Sequence, residues 1–224
     1  MPAGKLFQVK RDDRKLSKKV TKEVKQIAQK VFNKNTETKT FGFNKENIQL
    51  NHNLTDYRTK WLACKQGTAD PNNQSAYLCR IGDEINLTNI NVRLWLSNKK
   101  DRPNVMYKAA LFWYDADATV DNAAVYFTQT NKMLDRYNNE SITIIDQQIL
   151  FSTNNYASTE NEKSYLMTLG KRYKNRKITY DEGGTQPKKR DIGLVVVCYD
   201  AYGTLQEDNI ASYAYNGIIQ YKDA

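Results

Sequence analysis

At Asn35 the spacing of apolar residues changes from about four to two, and that change limits what the chain can become. Before it, Leu16, Val20, Val24, Ile27, Val31 and Phe32 recur at helical intervals with lysines between them, which predicts an amphipathic helix over about 16–33. Ser17 and Thr21 are weak helix formers and no strong cap is visible, so this helix needs like helices or a polyanion as partners. After Asn35, short runs alternate apolar and polar residues, and no second long amphipathic helix is read. The expected fold class is all-β: a single eight-stranded jelly-roll sandwich over 36–224, behind a basic, partly helical N-terminal arm over 1–35.

The strands are expected at 36–50, 85–96, 105–114, 142–151, 165–169, 178–180, 192–199 and 213–221, with a turn-rich loop over 64–80. In the second of them, Ile85 and Leu87 fall on odd positions but Ile90, Val92, Leu94 and Leu96 on even ones. One extra residue at Thr88-Asn89 restores a single buried face, which predicts a β-bulge or a break there. Ala109 to Tyr114 is apolar on both faces and therefore needs cover on both sides, one of which a neighbouring subunit could supply.

The formal charge of +9 is concentrated at one end. Residues 1–35 hold eleven basic residues, Lys5, Lys10, Arg11, Arg14, Lys15, Lys18, Lys19, Lys22, Lys25, Lys30 and Lys34, against Asp12, Asp13 and Glu23. That is +8 on the arm, and +1 on the other 189 residues. Clustered lysines attract phosphates without reading bases, so the arm is the candidate nucleic-acid-binding segment. A solvated tail or an import signal is the plainer alternative. A second run, Lys171, Arg172, Tyr173, Lys174, Arg176 and Lys177, interleaves an aromatic with cations as single-strand binders do. A charged edge strand explains it equally well. Lys188-Lys189-Arg190, beside Pro187 in a Gly-rich loop, could serve import or attachment to an acidic surface, but three basic residues in a loop are common and an ordinary exposed loop is the stronger reading.

Other chemistry is thin. Asp115, Asp117 and Asp121 follow a strand at spacings that could bind Ca²⁺ between subunits, although an acidic loop is the stronger reading and no cofactor is otherwise expected. His52 is the only histidine, and neither a triad nor a zinc pattern can be assembled around it. The chain is not expected to be an enzyme. Trp61, Trp95 and Trp113 are read as packing anchors in the core or between subunits. Cys64, Cys79 and Cys198 fit free thiols in a reducing compartment. No apolar run approaches 18 residues and no signal peptide is apparent, so a soluble, unexported protein without membrane contacts is expected.

The stretch Cys79-Arg80-Ile81-Gly82-Asp83-Glu84-Ile85, followed by Asn89-Ile90-Asn91-Val92-Arg93-Leu94-Trp95, resembles the capsid proteins of small circular single-stranded DNA viruses. It is also similar to the coat protein of satellite tobacco necrosis virus. In both, an Arg-x-Gly-Asp turn opens such a strand behind a basic arm, and here Arg80, Gly82 and Asp83 match it. Leu111-Phe112-Trp113-Tyr114-Asp115, Met133-Leu134-Asp135-Arg136-Tyr137 and the terminal Tyr221-Lys222-Asp223-Ala224 follow in the same order. The resemblance implies a capsid subunit, about 60 copies of which close a T=1 icosahedral shell. Its arm would lie on a packaged single-stranded genome, DNA rather than RNA, and the protein would occur in the virion and in the host nucleus and cytoplasm. Roughly 60 such arms would neutralise about 480 phosphates. A single-strand nucleic-acid binder that does not assemble is the competing reading.

Overall fold

The parity switch between Leu87 and Ile90 is resolved by a bulge. The computed structural model of the protein describes residues 17–35, 38–67, 79–151, 163–201 and 208–223, and places this segment in strand β5 (Glu84–Asn98). Ile85, Leu87, Ile90, Val92, Leu94 and Leu96 are all buried. Leu87 pairs with Tyr221 and Asn89 with Gln220, which leaves Thr88 as the inserted residue. Its hydroxyl donates to the Gln220 carbonyl at 2.9 Å.

The other strands are β1 (Thr38–Asn51), β2 (Thr55–Arg58), β3 (Lys65–Gln66), β4 (Cys79–Arg80), β6 (Val105–Asp115), β7 (Thr143–Phe151), β8 (Ser164–Thr179), β9 (Arg190–Asp200) and β10 (Asn209–Asp223). Two four-stranded antiparallel sheets form, in the orders β1-β10-β5-β8 and β2-β9-β6-β7. The pairing is nested: β1 with β10, β2 with β9, β5 with β8, β6 with β7, alternately in one sheet and the other. A long antiparallel ribbon rolled up in this way is a jelly roll. The parallel β3–β4 pair joins the two ends of the 68–78 segment. Most of the turn-rich loop expected over 64–80, residues 68–78, lies outside the described residues.

Two strand expectations change. Residues 165–169 and 178–180 do not form separate strands, because Gly170 to Arg172 and then Arg176 and Lys177 pair with β5 on either side of a register shift, and β8 runs from Ser164 to Thr179. The second change is β2, whose four half-buried residues carry no alternation to read. The total of eight sandwich strands stands because one merger offsets one omission.

Cover for the outer face of β6 comes from the chain itself, not from a neighbour. Tyr107, Ala109, Leu111 and Trp113 face the core between the sheets. Ala110, Phe112 and Tyr114 pack on the other side against Val125, Tyr126, Tyr137 and Ile142, contributed by the β6–β7 connection. The buried Lys108 anchors that connection, donating from Nζ to the carbonyls of Asp135 at 2.6 Å and Lys132 at 3.0 Å, over the Tyr137 ring. Burial lowers the Lys108 pKa, and Asp135 only partly counteracts this. The Asp135 carboxylate accepts from the amides of Gln129 at 2.7 Å and Thr128 at 2.9 Å. Burial alone would raise its pKa, but these bonds hold it below the usual carboxylate value.

Close packing also explains one glycine. Phe43 lies 4.4 Å from Trp61, ring to ring, and covers Gly217, where a Cβ would collide with the Phe43 ring. The chain divides into two units, 1–37 and 38–224. In the first, α1 spans Lys18–Asn35, two residues later than its periodicity suggests. Ser17 is the cap that is hard to recognise in sequence: its Oγ accepts from the Val20 amide at 3.3 Å and its carbonyl from the Thr21 amide at 2.9 Å.

Candidate nucleic-acid interface

Of the arm cations, Lys5, Lys10, Arg11, Arg14 and Lys15 lie outside the described residues. Lys18, Lys19, Lys22, Lys25, Lys30 and Lys34 fall on α1. Lys19, Lys22 and Lys25 are exposed, and so are Val20, Val24, Ile27 and Val31. A lysine-bearing helix with an uncovered apolar stripe gains stability from whatever covers the stripe or neutralises the lysines.

The second basic run is not one patch. It lies on β8, the edge strand of its sheet, where alternation and a register shift between Arg172 and Arg176 divide it between two faces. Lys171 and Arg176 stand opposite the buried Ile90 and Leu87, on the core side. The Arg176 guanidinium sits 4.3 Å from the Trp113 ring, and the Trp113 indole donates to the Tyr173 hydroxyl at 3.2 Å. Burial raises the Tyr173 pKa. Lys177 is on the outer face and pairs with Glu84 at 2.5 Å. Arg172 and Lys174 are exposed and form no ion pair among the described residues. Tyr173 therefore helps close the rim of the core, and the run supplies fewer available cations than its composition suggests.

That outer face, the side of the β1-β10-β5-β8 sheet turned away from the core, carries polar residues the sequence reading passed over. Arg93 stands between Thr168 and Asn216, with Asn44 next in the row. Arg172 stands beside Asn89, whose amide donates to the Gln220 side chain at 3.1 Å. Trp95 is 60% exposed there, opposite the 69% exposed Leu166, and so is no core anchor, whereas Trp61 and Trp113 are buried. The signal was present in the sequence: once β5 buries its even positions beyond Thr88, Asn89, Asn91, Arg93 and Trp95 must point outward.

Arg80, matched by the resemblance, is fully buried and holds the turn together. It donates to the Gly82 carbonyl, to Asp83 Oδ1 at 3.1 Å, and to the carbonyls of Asp181 at 3.0 Å and Gly184 at 2.7 Å. Arg-x-Gly-Asp is here a structural clamp between the start of β5 and the turn after β8. The acidic trio also has structural uses. Asp115 accepts from the Asp117 amide, and Asp121 caps the short helix α2 (Asn122–Val125) through the Ala124 amide at 2.8 Å. Among the described residues of this one chain no three acidic, histidine or cysteine side chains gather as a metal site. His52 is buried and accepts from the Asp200 amide at 3.0 Å, and burial lowers its pKa. Lys188 pairs with Asp181 at 2.9 Å. No helix among the described residues is long and apolar enough to cross a membrane.

No protein-family model matches the chain, and no curated protein does. Among solved structures the chain is similar to one from Desmodium yellow mottle tymovirus, at 9% identity and a TM-score of 0.37, covering 84% of this chain and 88% of that one. Turnip yellow mosaic virus follows at 10% and 0.38, covering 84% and 82%. A structure of Mud crab tombus-like virus gives 8% and 0.36, covering 99% and 90%. Similarity at this level carries no function.

Proposed function

We propose that the chain is a viral coat-protein subunit, a jelly roll that assembles into a closed shell and holds a single-stranded genome through its basic arm. The observation that carries this reading is the division of labour in one chain. A nearly neutral jelly-roll body with a filled core follows an arm of +8 whose helix exposes Lys19, Lys22 and Lys25 together with the apolar Val20, Val24, Ile27 and Val31. A monomer gains nothing from such a stripe, whereas many arms meeting on a polyanion cover it and neutralise the lysines together. The Arg80-Gly82-Asp83 resemblance adds the finer terms of the proposal: about 60 copies in a T=1 shell, DNA as cargo, and a passage through the host nucleus before the virion.

Negative-stain electron microscopy of the purified protein tests it, with the absorbance ratio at 260 and 280 nm read on the same particles. Uniform spheres with nuclease-resistant nucleic acid are expected, and DNase or RNase digestion after disruption identifies the cargo. Small species under all salt and pH conditions, with nucleic acid still bound, would replace it with the single-strand binder that does not assemble.

A further inference from the structure

We infer that the outer face of the β1-β10-β5-β8 sheet is a second nucleic-acid contact, in which Trp95 stacks on an unpaired base and Arg93 meets the neighbouring phosphate. This rests on the nucleic-acid part of the proposed function but not on the arm. Trp95, three residues before the end of β5, is left 60% exposed, and its side chain lines two shallow pockets. Asn44, Arg93, Leu166 and Asn216 line one, and Asn47, Ser97 and Ser212 the other, with Glu46 lining both. A flat aromatic with open space on either side, cations on the same face and amides around it is how sequence-tolerant single-strand surfaces are built. Arg93 is two residues from Trp95 on the same face, roughly 7 Å along the strand.

Charge selects the occupant. Arg93 and Glu46 line the pockets at Trp95, and farther along the same face Arg172 stands beside Asn89 and Lys177 and Lys222 beside Asn86, with Glu84 paired to Lys177. Cations outnumber carboxylates along this face, which attracts a polyanionic strand lying across it. A second copy of the body is also a poor fit. Trp95 and Leu166 are the large exposed apolar side chains here, and the Asn, Ser and Thr rows around them lack the apolar centre of a protein interface. An unpaired base needs only the indole and nearby donors.

The test uses the full chain, oligothymidylate of 20 nucleotides, and the emission of Trp95, since Trp61 and Trp113 are buried. The oligonucleotide is expected to quench the exposed-tryptophan emission and protect it from acrylamide. W95A should bind roughly fivefold or more weakly with an unchanged salt slope, and W95F should lie between. Wild-type affinity in W95A, or defective shells with intact oligonucleotide binding, overturns the inference and assigns the face to contacts between copies. If W95A does not fold, cross-linking of the wild-type protein to 5-iodouracil oligonucleotide decides: the inference requires adducts on Trp95 and fails if they map only to 1–37. Replacing arm lysines is a separate arm. A salt slope unmoved by that change, with Trp95 still quenched, removes the arm mechanism and leaves this contact standing.

Discussion

The guanidinium of Arg80 lies 4.4 Å from the centre of the Tyr180 ring, and both side chains are buried. Tyr180 in turn donates from its hydroxyl to the Leu62 carbonyl at 2.9 Å. The pair links the start of β5, the end of β8 and the segment after β2. Arg80→Lys keeps the charge but loses the planar fork that reaches Asp83, Asp181 and Gly184. It is expected to destabilise the fold by about 2–4 kcal/mol, and Arg80→Ala by about 3–5 kcal/mol. Urea unfolding measures both, and a loss under about 1 kcal/mol for either would show that the clamp is dispensable.

Deleting Thr88 should be far worse than replacing it. Without the bulge residue, either Ile85 and Leu87 or Ile90 to Leu96 must turn outward. The deletion is expected to give no folded protein by circular dichroism, whereas Thr88→Ala loses one hydrogen bond, about 1 kcal/mol. A folded deletion variant would mean that the register is set elsewhere.

Asp191 makes the body sensitive to pH. Its Oδ1 accepts from the amides of Leu62 at 2.8 Å and Ile192 at 2.6 Å, while Oδ2 is buried without a partner. Burial raises its pKa to about 6, against which the two amide bonds act. A carboxyl with a raised folded pKa favours the folded state most below its unfolded pKa, and that contribution is lost as pH rises through about 6. Asp191→Asn keeps the acceptor and removes the charge, so it should stabilise the protein by up to about 3 kcal/mol above pH 7 and by little at pH 4. Thermal melts across that range check it, and a pH-independent difference would refute it.

On the arm, replacing Lys19, Lys22 and Lys25 with Gln should flatten the plot of log affinity for single-stranded DNA against log salt by up to about 2 units. Ser17→Ala, which removes the cap, should cost the helix about 1 kcal/mol and reduce helical ellipticity. Filter binding at several salt concentrations reads the first effect. An unchanged slope would place the phosphate contacts off α1.

Local patterns were enough for the arm helix, the all-β body and the Thr88 bulge, because each follows from residues close in the chain. The periods of an amphipathic helix and a half-buried strand are visible in any short window. The charge split is a matter of position alone. What tertiary structure decided were relations between distant segments. Arg80 is a clamp because residues 181–184 come to it, and the outer side of β6 is covered because Lys108 draws in the chain's own 126–137 turn. The division of Lys171 to Lys177 between two faces, the pairing of Lys177 with Glu84 and the exposure of Trp95 depend on strand neighbours far apart in sequence. A side chain's spacing states its direction relative to its own strand, but only the partner strands determine whether that direction leads to core, ion pair or solvent.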